Sequence, residues 1–208
     1  MKIKSAVFPP ISNNCYLIID ENTNCSALVD CSVWNEDMEA LIGDTDLKYV
    51  LLTHGHYDHI EGVSEVKKRY NPKVVISKED EIMLGNEVYC LAAITRNRHY
   101  NCEADIIAAD GDELKLGDIT VKVIATPGHT KGGLCYLAGD SLFTGDTLFR
   151  GSCGRTDFPG GSVEKIIASL KKLSSLEGDY NVYPGHDGFS TLDYERKNNM
   201  YMNYGIWN

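Results

Sequence analysis

No stretch of this chain constrains its fold more than Thr53-His-Gly-His-Tyr-Asp-His59, which holds four potential metal ligands within six residues: His54, His56, Asp58 and His59. Upstream lies the continuous apolar run Tyr49-Val-Leu-Leu52, as in a strand buried on both faces. Downstream, Ile60, Val63, Val66 and Tyr70 recur at helical spacing with charges between them. The cluster therefore sits on the loop between a strand and a helix. His54 and His56 are two apart, so in extended chain they project to the same side. Asp58 and His59 fall where the chain turns into the helix and can point into the same space. Imidazole and carboxylate are groups that Zn²⁺ or Fe²⁺ accepts. An isolated H-x-H is a weak signal. Packing alone, however, gives no reason to gather so much desolvation cost in one turn.

Further candidates occupy similar positions. His129 follows the strand-like run 119–125 through a Pro-Gly turn, and His186 follows Val182-Tyr183 through another. Asp146 follows Leu142-Phe-Thr144 through Gly145, and Asp30 ends the run Ala27-Leu-Val29. Five apolar runs thus each end in a potential ligand or a ligand-orienting group. In α/β architectures sites gather at strand ends, on loops held by a rigid sheet. Of the six histidines only His99 falls outside this scheme, and it reads as a structural or surface residue.

The rest of the chain reads as α/β in one domain, residues 1–208, with no linker or low-complexity tract. The runs 15–20 and 25–30, joined by 21–24, predict a hairpin. A helix is expected over 33–42, stopping at Gly43, and another over 60–70, closed by Pro72. Residues 73–76, 119–125, 134–137 and 181–183 read as strands. Val163, Ile166, Ile167 and Leu170 mark a helix with Ser162 as its N-cap. A terminal helix is expected over 194–204. Residues 86–104 show no clear period and read as a helix fragment plus loop.

The net charge of −10 argues against binding a phosphate backbone or an anionic membrane surface, both of which need clustered Lys and Arg. No run approaches a membrane span, and the start lacks the apolar stretch of a signal peptide. The seven cysteines form no C-x-x-C pair and read as reduced thiols, which fits a cytoplasmic protein. Oligomeric state is not legible.

Taken in order, Asp30, then His54, His56, Asp58 and His59, then His129, Asp146 and His186, the chain resembles the metallo-beta-lactamase superfamily. More narrowly it resembles glyoxalase II (hydroxyacylglutathione hydrolase) and its shorter bacterial relatives. The flanks agree: Thr126-Pro-Gly-His-Thr130, Phe143-Thr-Gly-Asp-Thr-Leu-Phe149, Tyr183-Pro-Gly-His186 and Gly154-Arg-Thr-Asp-Phe-Pro-Gly-Gly161. The resemblance implies an αβ/βα sandwich, two packed mixed sheets flanked by helices, with metals at one edge. It also implies two divalent ions per chain, with Zn²⁺ the first choice and Fe²⁺ or Mn²⁺ also accepted by the donors. By carry-over His54, His56 and His129 hold one ion and Asp58, His59 and His186 the second. Asp146 bridges them and Asp30 orients a ligand.

The chemistry so implied is hydrolysis of a small-molecule thioester. A water shared by two metals yields hydroxide near neutral pH, and a thiolate leaves without a strong protein acid. Asp58 and Asp146 are the carboxylates expected to take part. Arg155, in the Gly-rich loop after Asp146, either binds an anionic part of the substrate or is a structural arginine held by loop carbonyls or Asp157. Cys153 reads as a packed thiol, since only Arg150 and Arg155 lie nearby to lower its pKa. Longer glyoxalase II enzymes complete the pocket with a helical C-terminal domain. Little more than one helix follows His186 here, which leaves the thiol carrier open, and Tyr194, Tyr201, Tyr204 and Trp207 are candidates for the substrate mouth, a dimer contact or plain packing. The alternative of the same fold is a persulfide dioxygenase with one iron on His54, His129 and Asp146.

Overall fold

The computed structural model describes residues 1–9, 11–95 and 101–203. Its first six strands are β1 (Lys2–Phe8), β2 (Asn13–Ile19), β3 (Cys25–Val29), β4 (Asp46–Leu51), β5 (Lys73–Ser77) and β6 (Ile106–Ala108). They pair in that order into one sheet, antiparallel from β1 to β3 and parallel from β3 to β6. The second sheet runs β14-β13-β10-β9-β8-β7. It is built from β7 (Glu113–Leu116), β8 (Ile119–Ala125), β9 (Leu134–Ala138), β10 (Ser141–Gly145), β13 (Asn181–Pro184) and β14 (Ser190–Thr191). Here β10 and β13 are parallel and the other pairs antiparallel. A short hairpin of β11 (Leu148–Phe149) and β12 (Ser152–Cys153) stands apart.

Strand alternation explains the layering. Along β2, Cys15, Leu17 and Ile19 enter one core while Tyr16 and Ile18 enter another. In the same way Val50 and Leu52 part from Leu51, and Val74 and Ile76 part from Val75. Successive side chains of a strand point to opposite faces, so both faces of the first sheet are covered. Phe143, Tyr136 and Val123 of the second sheet meet Tyr16, Leu51 and Val75 in the central layer. On the far side Ile124, Cys135, Leu142 and Val182 pack with Leu170 and Leu173 of α5 (Val163–Ser174) and Leu192 of α6 (Leu192–Asn198). The result is the expected αβ/βα sandwich. Truncating a central residue such as Leu51 to alanine would cost about 2–5 kcal/mol.

The helices depart from expectation at their ends. α1 (Glu36–Ile42) starts three residues later than the apolar pattern suggests, because the Asn35 side chain accepts from Met38 N at 3.0 Å and caps it. The helix predicted over 60–70 is two pieces, α2 (Tyr57–Ile60) and α3 (Val63–Tyr70). The break lies at Gly62, where a Cβ would run into Cys31 Sγ and the Val33 backbone. Cys31 N donates to His59 O at 2.8 Å and Gly62 N to Cys31 O at 3.0 Å, so the first turn is fastened to the end of β3. The terminal helix is α6, earlier and shorter than the 194–204 reading. β1 was not anticipated, because its largely exposed, lysine-bearing sequence carries little apolar signal. Residues 86–95 contain the expected helix fragment, α4 (Ala92–Thr95), and a 3-10 helix, Glu81–Gly85, precedes it. His99, Tyr204 and Trp207 lie outside the described residues. No helix among the described residues is long and apolar enough to cross a membrane.

Candidate metal centre

Strands of both sheets end at one edge, and the chemistry-bearing residues follow them. β3 leads to Asp30, β4 to His54–His59, β8 to His129, β10 to Asp146 and β13 to His186. The structure brings all seven predicted ligands together. Their donor atoms form three overlapping trios, each within 4.8 Å: His54, His56 and His129; His54, His59 and Asp146; Asp58, His59 and His186. All but Asp146 and His186 are buried, and these two open the cluster to the surface.

The hydrogen bonds orient the imidazoles. His129 Nδ1 donates to the Arg155 carbonyl at 2.8 Å, and His186 Nδ1 to the Ser12 carbonyl at 3.3 Å. His59 Nδ1 donates to Asp30 Oδ2 at 2.8 Å. His54 Nδ1 lies 3.2 Å from Thr53 Oγ1, whose own proton goes to Asp30 Oδ2. Carbonyls and carboxylates only accept, so each Nδ1 anchored on one carries a proton and turns its Nε2 toward the cluster. His56 is turned the other way, with Nδ1 2.9 Å from His129 Nε2. Asp30 reaches beneath the loop from a left-handed backbone, φ 57°, a conformation aspartate adopts more readily than most residues.

Asp146 stands between the groups. Its Oδ1 lies 3.4 Å from His59 Nε2, and its Oδ2 lies 3.4 Å from His129 Nε2 and 3.7 Å from His186 Nε2. Asp58 Oδ2 is 3.3 Å from His59 Nε2 and 3.2 Å from His186 Nε2. Gly185 permits this approach, since a Cβ there would meet Asp146 Oδ1 and the His59 ring.

The two halves differ electrically. Burial first, then the neighbouring imidazoles, push His54 well below the usual histidine range and His56 down to about 3. Burial acts the same way on His59 and His186, but the carboxylates outweigh it. Asp58, Asp30 and Asp146 hold His59 well above its ordinary value, and Asp58 and Asp146 raise His186. Asp58 is buried too, yet His59 and His186 draw its carboxyl well below the usual range. The cluster thus attracts positive charge while keeping neutral imidazoles on one side.

These residues fit divalent metal. His54 Nε2, His56 Nε2 and Asp146 Oδ1 are buried without a hydrogen-bond partner, a cost that only a cation or a donor can offset. The donor set, five imidazoles and two carboxylates, is of the borderline kind that zinc and iron accept.

Beside the cluster opens a cavity of about 470 Å³. Ile11, Tyr57, Leu91, Phe149 and Phe158 give it an apolar wall, and Ser152, Cys153 and Arg155 add polar atoms. Arg155 is exposed; it holds Asp157 through two hydrogen bonds, Nε to Oδ1 at 2.7 Å and Nη2 to Oδ2 at 2.6 Å, and lies 3.9 Å over the Phe158 ring. The Asp157 alternative raised by the sequence is therefore the contact its side chain makes. Cys153 is half-buried, and burial pushes its thiol up to about 11. Tyr194 and Tyr201 are exposed and do not line the cavity; Tyr194 lies beneath the Arg150 guanidinium.

Sequence reasoning missed Asn13, whose amide lies 2.8 Å from His59 Nε2, and Asp80, whose buried carboxylate joins two ligand loops. Asp80 follows the end of β5, the same kind of position that marked Asp30 and Asp146. Its setting, Lys78-Glu-Asp-Glu81, is charged throughout, so nothing local sets this carboxylate apart from its neighbours.

A profile of the metallo-beta-lactamase superfamily matches residues 8–186. The chain is 31% identical to the hydroxyacylglutathione hydrolase GloC of Haemophilus influenzae, covering 98% of this chain and 99% of that protein. It superposes on the B3 metallo-beta-lactamase BLEG-1 with a TM-score of 0.89 at 27% identity, covering 95% of this chain and 98% of that one. TTHA1623 in a di-iron-bound form gives a TM-score of 0.84 at 29% identity, covering 96% of this chain and 100% of that one.

Proposed function

The chain belongs to the metallo-beta-lactamase superfamily of metal-dependent hydrolases, and from that premise we propose that it cleaves a small-molecule thioester in the cytoplasm, with two divalent cations in the site. The observation that carries the reading is the placement of Asp146, whose two oxygens face imidazoles of both outer trios at the mouth of an apolar cavity. The thioester preference draws on the near full-length likeness to a hydroxyacylglutathione hydrolase.

His54, His56 and His129 would hold one cation, and Asp58, His59 and His186 the other, with Asp146 shared. Zinc suits these donors, and a related fold holds two irons. Bound there, the pair would supply a water acidified to near-neutral pH and Lewis-acid polarisation of a carbonyl. The protein does the rest. Asp30, the Arg155 carbonyl and the Ser12 carbonyl hold Nδ1 of His59, His129 and His186, so that Nε2 of each faces the cluster. Asp58, whose carboxyl its two histidines draw below the usual range, contributes negative charge. The wall of Ile11, Tyr57, Leu91, Phe149 and Phe158 seats the acyl or thiol portion and excludes water from the bond to be broken. A thiol of ordinary pKa, about 8.5, leaves as thiolate without a strong acid. Cys153 is too weakly acidic to act as nucleophile at neutral pH.

The test is thiol release from thioesters of glutathione, coenzyme A and a small neutral thiol, together with elemental analysis. Turnover of at least one thioester, lost on chelation and restored by added Zn²⁺, Fe²⁺ or Mn²⁺, is expected. Metal-loaded protein that cleaves none of them, or that consumes oxygen with a persulfide, would replace this reading.

A further inference from the structure

We propose that Asp80 is a positioning residue that sets the spacing of His54, His56 and His129, and with it the affinity of the cation those residues would hold. The inference rests on the metal-site reading above.

The geometry is that of a clamp between loops of different sheets. Asp80 is fully withdrawn from solvent. Its Oδ1 accepts from Gly132 N at 2.8 Å, and its Oδ2 from Thr130 Oγ1 at 2.7 Å and from Gly55 N at 3.3 Å. Gly55 lies between His54 and His56, and Thr130 directly follows His129. One carboxylate therefore joins the loop after β4 to the loop after β8, and between them these loops carry all three imidazoles of the trio. The approach is close on both sides. A Cβ on Gly55 would run into Met83, and one on Gly132 into Ser77 Oγ and Asp80 N.

The simplest local role for this residue is capping. Asp80 occupies the N-cap position of the 3-10 helix Glu81–Gly85, yet its side chain makes no capping hydrogen bond there. It turns away from its own helix toward the two loops. Burial pushes its carboxyl up, and its three hydrogen bonds oppose that. A buried carboxylate held only by neutral donors is costly. Beside a site that gathers divalent charge, the same negative charge is complementary.

Because no group of Asp80 reaches the cavity mouth, its effect must pass through the imidazoles. Loss of such an outer partner lowers metal affinity roughly 10- to 100-fold. A structural brace alone would lower stability without choosing between two cations.

The experiment is competition of Zn²⁺ or Co²⁺ against a chromophoric chelator, resolving two equivalents in wild type, Asp80→Asn and Thr130→Val, with melting of each metal-free protein alongside. His56→Ala marks which equivalent belongs to the His54/His56/His129 group. In Asp80→Asn that equivalent weakens roughly 10- to 100-fold, its Co²⁺ absorption changes, and the other equivalent stays within about threefold of wild type. Thr130→Val, which removes one donor and keeps the side-chain shape, shifts the same equivalent less. Unchanged affinities, or equal weakening of both equivalents with a lower Tm, overturn the role of Asp80 and leave the metal-site reading standing. If Asp80→Asn does not fold, Thr130→Val decides by the same criteria. A wild type that binds fewer than two equivalents overturns both.

Discussion

His59 donates Nδ1–H to Asp30 Oδ2 across 2.8 Å, and neither side chain is open to solvent. Asp30 is also tied to Thr53, accepting from its backbone N and its hydroxyl at 2.8 Å each. The carboxylate thereby fixes both the tautomer of His59 and the first residue of the ligand loop. Asp30→Asn keeps the size but offers an amide donor toward one of these donors. It should cost roughly 10- to 100-fold in metal affinity or turnover. Turnover and metal content of the variant check this, and wild-type values for both would remove Asp30 from the site.

Asp146→Ala should abolish activity and weaken both cations. Its oxygens face His59 on one side and His129 and His186 on the other, so its loss leaves two positive charges less neutralised and without a shared ligand. Asp146→Asn keeps one acceptor and should retain more metal than alanine. Metal stoichiometry after dialysis distinguishes the cases. Full turnover in either variant would show that Asp146 does not stand between the metals.

Arg155 serves the site twice over, by different atoms. Its carbonyl fixes His129, a role that survives any substitution, so Arg155→Ala should bind metal as wild type does. Its guanidinium is held by Asp157, and an anionic substrate group must compete for it. We expect Arg155→Ala to raise KM several-fold for a carboxylate-bearing thioester with kcat nearly intact, the pattern of lost uniform binding. Asp157→Asn frees the guanidinium and should lower that KM. If neither variant separates charged from neutral thioesters, the arginine is a brace for Phe158 and nothing more.

Cys153 lines the cavity with its thiol pushed up to about 11. A raised thiol pKa means less thiolate at a given pH, so at pH 8 only on the order of one thiol in a thousand is reactive. Alkylation of Cys153 by iodoacetamide should be roughly 100-fold slower than that of an ordinary free thiol, and should quicken about tenfold per pH unit up to about pH 11. Peptide mapping follows it residue by residue. Cys153→Ser should keep turnover within about twofold. Rapid labelling at pH 8 with loss of activity would point instead to an activated cysteine.

What the sequence alone determined is what is local. His54, His56, Asp58 and His59 lie on one turn, and the continuous apolar run before it and the 3.6-period run after it fix its place between strand and helix. The turns at Pro127-Gly128 and Pro184-Gly185 marked His129 and His186 by the same short-range logic. Asp30 and Asp146 were legible as carboxylates at the ends of apolar runs, and the family resemblance supplied their roles. The break at Gly62 was not legible, since it depends on the backbone of Cys31 and Val33 lying against it. Nor was the partner of Arg155, for which the sequence offered two readings and only side-chain packing over Phe158 selects one. Asp80 and Asn13 were hidden for a deeper reason. Their partners lie 25 to 52 residues away for Asp80 and 46 for Asn13, and hydrogen bonds across such separations exist only once both sheets have packed and brought the strand ends to one edge. Ligand type is a property of side chains and can be read from the chain, whereas the spacing and orientation that turn ligands into a site belong to loops held by two sheets at once.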